Sequence, residues 1–294
     1  RMLKSRRQRS MAHFARWGLE VHAGIVEPRK ESKSEILFCS APRRCYEDAS
    51  TYDGADLSDV LLPGGLFMCI VDVFKYLGSY IARNGSDATD VDSRIASAGK
   101  AFGALSSCLF RSQSVTIEAK RRVYEGLILA VLLYGSECWV LTEAMRHRLR
   151  CFHAQCLRVM SHVTRLRTWQ EGISTAALAR EIGLDSMDNY VHRRQLRYVG
   201  HVFRMPFERL PRRMLSCWVA APRPLGAPTM TYGRSIYRAL RSFGIDCSTW
   251  PTLATDRVAW RGAIHGALLD SGRPTRAAAA VTKRLIDVAV ADDR

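Results

Sequence analysis

The feature that most limits what this chain can fold into is a change of apolar period at Asp90. From there, Val91, Ile95, Phe102, Leu105 and Leu109 recur at helical spacing over about five turns. Asp90 reads as the N-cap of that helix. A second helix is expected over residues 117–134, burying Val123, Tyr124, Leu127, Ile128 and Val131, with Gly135 as its stop. Thr142 caps a third. Its apolar stripe is Met145, Leu149, Phe152, Cys156, Leu157 and Met160, and Arg146, Arg148, Arg150 and Arg158 lie on the opposite face. Residues 174–205 read as two helices around Gly183, the second carrying Arg193, Arg194 and Arg197. A Pro-rich loop at 222–228 precedes a last helical pair at 231–243 and 256–269. The apolar run through Leu132 and Leu133 is too long for a solvated face, so both residues, with Trp139, are expected in the core.

Ahead of Asp90 the apolar runs have the length of strands. Residues 35–39, 67–71 and 74–81 are of this kind, and the last two, followed by Asn84-Gly85, read as a small pair. A basic helix candidate with Met11, Phe14 and Leu19 comes first, and residues 41–65 are acidic and loop-like. The expected fold class is α+β, predominantly helical. It divides into 1–88, 89–140, 141–270 and a weakly ordered Ala-rich tail at 271–294.

Lysine and arginine outnumber aspartate and glutamate by 44 to 28, a formal charge of +16, so a polyanion is the expected partner. Thirty-seven of the 44 are arginine, whose donor fork fits phosphates and guanine edges and stacks on bases. An Arg-rich codon bias would give the same skew but not the net charge. Residues 146–213 hold fourteen arginines against five acids, an excess of nine, interleaved with Tyr190, Tyr198, Phe203 and Phe207. Nine cysteines, odd in number and scattered, several in apolar helical contexts (Cys108, Cys138, Cys156), read as reduced, buried thiols of a nuclear or cytoplasmic protein. The run Leu127 to Tyr134 is far short of the roughly 18 residues a membrane span needs, so no membrane partner is expected. The start at Arg1 rather than Met reads as a piece of something longer or a mis-started reading frame.

Few constellations offer chemistry. Cys151-x-His153-x-x-Cys156 has no apparent fourth ligand and overlaps the apolar stripe, so core packing is favoured over zinc. Asp72 lacks an acidic partner and reads as a hairpin anchor. His201 reads as a packed or capping histidine. No Gly-x-Ser-x-Gly is present. No catalytic residue and no metal ligand is assigned. Ser174 to Arg197 has the outline of a helix-turn-helix.

At Phe74-Lys-Tyr-Leu-Gly78 the pattern becomes specific. Together with Trp17-Gly-Leu-Glu-Val21, Lys33-Ser-Glu-Ile-Leu37, Leu133-Tyr-Gly-Ser-Glu-Cys-Trp139, Gln195-Leu-Arg197, Gly200-His-Val202 and Trp260-Arg261, all in order, the chain resembles the C-terminal part of a non-LTR (LINE-type) retrotransposon reverse transcriptase. The resemblance spans roughly residues 14–265. It implies a palm remnant with a primer-grip hairpin at 1–88, thumb-like helices at 89–140 and a basic C-terminal domain at 141–270. Phe74, Tyr76, Leu77 and Gly78 would position the primer end, and Lys33 would lie near nucleotide phosphates. Arg193, Arg194, Arg197 and Arg204 would contact RNA and DNA as template–primer or hybrid duplex. The family's acidic metal-binding turn, an Asp-Asp after Ala and an aromatic residue, does not occur ahead of Trp17, and Ala291-Asp292-Asp293 is out of order. Mg²⁺ is therefore expected only for the full-length parent enzyme, no cofactor is expected on this chain, and polymerase activity is not expected of it alone. A helix-turn-helix-like DNA-binding protein and a non-functional retroelement relic stay open as alternatives.

Overall fold

The computed structural model describes residues 13, 16–18, 22–26, 33–37, 60–62, 65–216 and 230–266. The basic helix around Met11, Phe14 and Leu19, most of the acidic loop, the Pro-rich loop and the Ala-rich tail lie outside them. The architecture is α+β and predominantly helical, in two compact units, residues 1–90 and 91–294.

The first unit is organised on one strand. β4 (Leu66–Val71) pairs antiparallel with β1 (Gly24–Ile25) and with β3 (Val60–Leu62), and parallel with β2 (Glu35–Leu37). Since β1 and β3 both meet residues 66–67, they occupy opposite edges of β4. Phe67 and Met68 are buried there. Residues 67–71 and 74–81 do not pair with each other as expected. Instead 74–81 forms most of a hairpin by itself, with β5 (Val73–Tyr76) antiparallel to β6 (Ser79–Ala82). The register Tyr76↔Ser79 leaves a two-residue turn, Leu77-Gly78, with φ of 47° and 89°. Positive φ at both positions is the turn whose twist matches the flanking strands. Asn84-Gly85 instead follows β6, where Asn84 Oδ1 accepts from Ser86 N at 2.9 Å just before the first helix. Asp72 pairs with Arg83 at the hairpin base, at 3.5 Å.

The second unit is helical. α1 (Ala88–Ala104) buries Val91, Ala98 and Phe102. Asp90 is not its N-cap: the helix starts two residues earlier, and Asp90 Oδ1 accepts from Tyr80 N at 3.0 Å. A short π-helical turn (Ser106–Phe110) then stacks Phe110 on Phe102, centroids 4.2 Å apart. The helix expected over 117–134 is present in three pieces: α2 (Ile117–Val123), a π turn (Tyr124–Ile128) and α3 (Leu129–Leu132). The wider turn shifts the phase of everything after it. Tyr124, Ile128, Leu132 and Leu133 are buried, but Leu127 rotates outward to 44% exposure, against expectation. Gly135, at φ 77°, ends the segment as expected, and Trp139 is buried.

α4 (Glu143–Met160) is capped by Thr142, which accepts from Met145 N. α5 (Arg165–Gln170) and α6 (Thr175–Ile182) follow, and Gly183 closes α6 in the left-handed conformation. α7 (Met187–Phe203) is the centre of the unit. α4, α8 (Leu210–Ser216), α9 (Tyr232–Ser242), α10 (Trp250–Thr255), α11 (Arg257–Gly266) and the 3₁₀ turn Ser136–Cys138 all pack on it. Two cysteines expected inside, Cys108 and Cys138, are exposed, while Cys156 is buried.

The strings that carry the resemblance meet in space. Arg194 Nη1 donates to Leu133 O and Gln195 Nε2 to Trp139 O, each at 2.9 Å. Tyr232 OH donates to Glu137 O at 3.2 Å. Side-chain donors from α7 and α9 thus tie the backbone carbonyls of segment 133–139 to the helices. Gly200 and Trp260 are a second such pair: the Trp260 indole lies where a Cβ at position 200 would be, and its Nε1 donates to Leu196 O at 3.0 Å.

Two buried histidines make stability depend on pH. His153 lies between Tyr124 OH at 2.9 Å and Asp185 O at 3.1 Å, and burial pushes it down to about 4. His192 is likewise pushed down to about 4, by burial and then by Arg146. The unfolded chain takes up these protons as pH falls below 6.5, whereas the folded chain does so only near 4. Stability present at neutral pH is therefore lost as pH falls from 6.5 to 4, by up to about 2–3 kcal/mol per histidine. Urea midpoints at pH 7.5 and 4.5 should differ accordingly, and equal midpoints would contradict this placement of the two rings.

Candidate nucleic-acid interface

The hairpin and the helical unit each present a surface. At the hairpin tip, Tyr76 is 56% and Leu77 75% exposed. Phe74 and Tyr76, two apart on β5, stack with centroids 6.4 Å apart, while Lys75 lies over the Tyr80 ring on the other face. Leu77 is an unusual occupant of a positive-φ position, which costs a side-chain-bearing residue about 1 kcal/mol or more. Lys33 is exposed just ahead of β2, its backbone N donating to His22 Nδ1 at 3.3 Å.

In the helical unit the fold sorts the arginines. Arg121 pairs with Glu118 and Glu125, Arg122 with Glu118, Arg148 with Asp92, and Arg167 with Glu171. Arg150 bridges Glu143 and Asp188. Arg146, expected on the solvent face, is 2% exposed and bonds Asp188 Oδ1 at 3.0 Å. α4 is covered on that side too, by α7. Arg193 pairs with Asp185 at 2.5 Å and Arg194 with the Leu133 carbonyl. Of the three arginines expected to share one face of α7, only Arg197 is exposed. Tyr190 is also engaged: it donates to Glu125 Oε1 and accepts from Asp185 N. Phe203 packs edge-on against Trp250, and Phe207 is 64% exposed.

A second set of cations has no acidic partner among the described residues. Arg197 on α7 and Arg204 at its C-terminal end lie beside Arg257, Arg261 and His265 on α11. Arg204 Nη1 donates to Ala254 O at 2.7 Å, and burial, then Arg257 and Arg261, lower its pKa. His265 is lowered by burial, then by Arg193, Arg197 and Arg261. On α11, Trp260 and Ile264 face the core, while positions 257, 261 and 265, four apart, form a strip on one side. Sequence reasoning quoted Arg261 but assigned no site to it or to Arg257. The repeated spacing of four was the signal available. His201, expected to be packed, is exposed near the end of α7.

Hydrolytic chemistry finds no support at Ser242, the serine beside His192. Arg146 Nη1 can only donate, so His192 Nε2 accepts at 3.2 Å and Nδ1 carries the proton, donating to Ser242 Oγ at 2.8 Å. Ser242 Oγ in turn donates to Ala239 O, so no base is free to activate it. Cys151 is exposed while His153 and Cys156 are core side chains. Among the described residues no group of three His, Cys, Asp or Glu side chains could hold a metal ion, so Mg²⁺ finds no fitting carboxylate set there. The described helices include none long and apolar enough to cross a membrane.

No family model matches the chain. No solved structure matches it. It is similar to an uncharacterized transposon-derived protein of Caenorhabditis elegans, 24% identical over 256 residues, covering 84% of this chain and 83% of that protein. The class this likeness supports is transposon-derived.

Proposed function

We propose that this chain is the template–primer-holding part of a retrotransposon reverse transcriptase, binding duplex or hybrid nucleic acid through its backbone. The observation that carries the reading is the α7–α11 seam, where Arg197, Arg204, Arg257 and Arg261 converge without an acid among the described residues. Leaving such charges unpaired beside one another is unfavourable unless a polyanion neutralises them. Transposon ancestry favours the same reading. The exposed Tyr76-Leu77 tip agrees with a grip on a primer end. The helix-turn-helix alternative loses ground, because α7, its would-be recognition helix, buries Met187, Val191, His192, Gln195 and Leu196 among neighbouring helices. A helix that reads a groove needs its first turns free.

Changing Arg197, Arg257 and Arg261 together to Gln should make the log–log salt dependence of binding shallower by about two to three units, with similar losses on unrelated sequences. Fluorescence anisotropy on an RNA–DNA hybrid and a random DNA duplex measures this. Changing the acid-paired Arg148, Arg150 and Arg167 should leave the slope nearly unchanged. An unaltered slope in the first triple variant sinks the seam, and no binding by the parent chain leaves the relic reading in its place. Leu77→Asn should steady the turn, since Asn-Gly suits it, and still weaken hybrid binding by removing the apolar tip.

A further inference from the structure

We propose that polyanion binding at the α7–α11 seam is coupled to proton uptake by His265, so that the surface binds more tightly as pH falls. This rests on the seam being the binding surface. His265 ends the strip begun by Arg257 and Arg261, and its Nδ1 is buried with no hydrogen-bond partner. The charged groups acting on it are Arg193 and Arg197 from α7 and Arg261 from its own helix. Of these only Arg193 has an acid partner among the described residues, Asp185. α10, which also packs on α11, has the sequence Trp-Pro-Thr-Leu-Ala-Thr and carries no titratable side chain. In the free protein, burial and the three guanidiniums hold the ring neutral below its ordinary value near 6.5.

Phosphates arriving on Arg197 and Arg261 cancel the repulsion that keeps the proton off. They also place negative charge beside the ring, so the bound state favours imidazolium. One group whose pKa is higher in the complex than in the free protein gives an affinity that rises as pH falls through the interval between the two values. The seam thus adds a cation only when a polyanion is present, and the two unscreened sides, α7 and α11, are held in register by Trp260 seated against Gly200.

The test uses the full chain and a random 20-base-pair duplex at constant ionic strength. Binding should tighten roughly five- to tenfold from pH 7.5 to 5.5, with about one proton taken up, read from calorimetry in buffers of different ionisation enthalpy. His265→Gln should flatten that dependence and abolish the excess proton uptake. His201→Gln, on the exposed end of α7, should keep the dependence. A pH dependence unchanged in His265→Gln, or one lost in His201→Gln, overturns this inference and leaves the seam intact as a binding surface. Absence of binding at every pH overturns both readings.

Discussion

Asp188→Ala is expected to lower stability by about 3 kcal/mol, seen as a fall of about 6–12 °C in Tm. Arg146 is 2% exposed, and Asp188 is its only acidic hydrogen-bond partner among the described residues, at 3.0 Å. Arg150 Nε grips the other carboxylate oxygen at 2.6 Å. Burial raises the Asp188 carboxyl, but the hydrogen bonds from Arg150 and Arg146 outweigh it and hold it below the usual carboxylate range. Truncation leaves a buried guanidinium facing His192, with Nε and Nη2 already unpartnered. The loss comes from that stranded charge rather than from the pair's own attraction. Arg146→Met together with Asp188→Leu should therefore recover most of the stability. A double variant no better than Asp188→Ala would show that the cost lies elsewhere.

Gly200→Ala should be at least as damaging, by about 3 kcal/mol or more. The added Cβ would lie 2.1 Å from Trp260 Nε1 and 2.6 Å from Cδ1. The indole cannot step aside cheaply. It is 2% exposed, donates to Leu196 O, and packs with Trp250 and Phe243 in the cluster that joins α7, α9, α10 and α11. Loosening α11 also loosens Arg257 and Arg261, so nucleic-acid affinity should fall together with the urea midpoint. Trp260→Leu in the Gly200→Ala background opens space for the methyl and should restore part of the midpoint. A Gly200→Ala protein as stable as the parent would refute the close α7–α11 crossing.

Periodicity located most helices of the second unit because a helix that buries one face must repeat its apolar residues every three or four positions. Thr142, Gly135 and Gly183 marked ends for equally local reasons, a side-chain acceptor for free N–H groups or a positive φ. Leu127 was misplaced because nothing in a single turn's composition signals a π bulge. The resemblance marks a hairpin at Phe74 to Ser79, but by its apolar pattern 74–81 reads as one strand paired with 67–71, since Leu at the first position of a tight turn runs against propensity and hides the turn at Leu77-Gly78.

The helical class and the positive charge were therefore legible in the chain itself, because both depend on which residues are present and how they alternate. Which arginines are available to a partner was not. Arg146, Arg193 and Arg197 read alike in a sequence, yet one is buried against Asp188, one is bound to Asp185 and one is exposed. Their neighbours come from 8 to 64 positions away: Asp185 from the preceding loop, Asp188 from α7 onto α4, Arg261 from α11. Tertiary packing alone brings such groups together, because the field at a side chain is set by whatever charges lie within a few ångströms, whatever their distance along the chain.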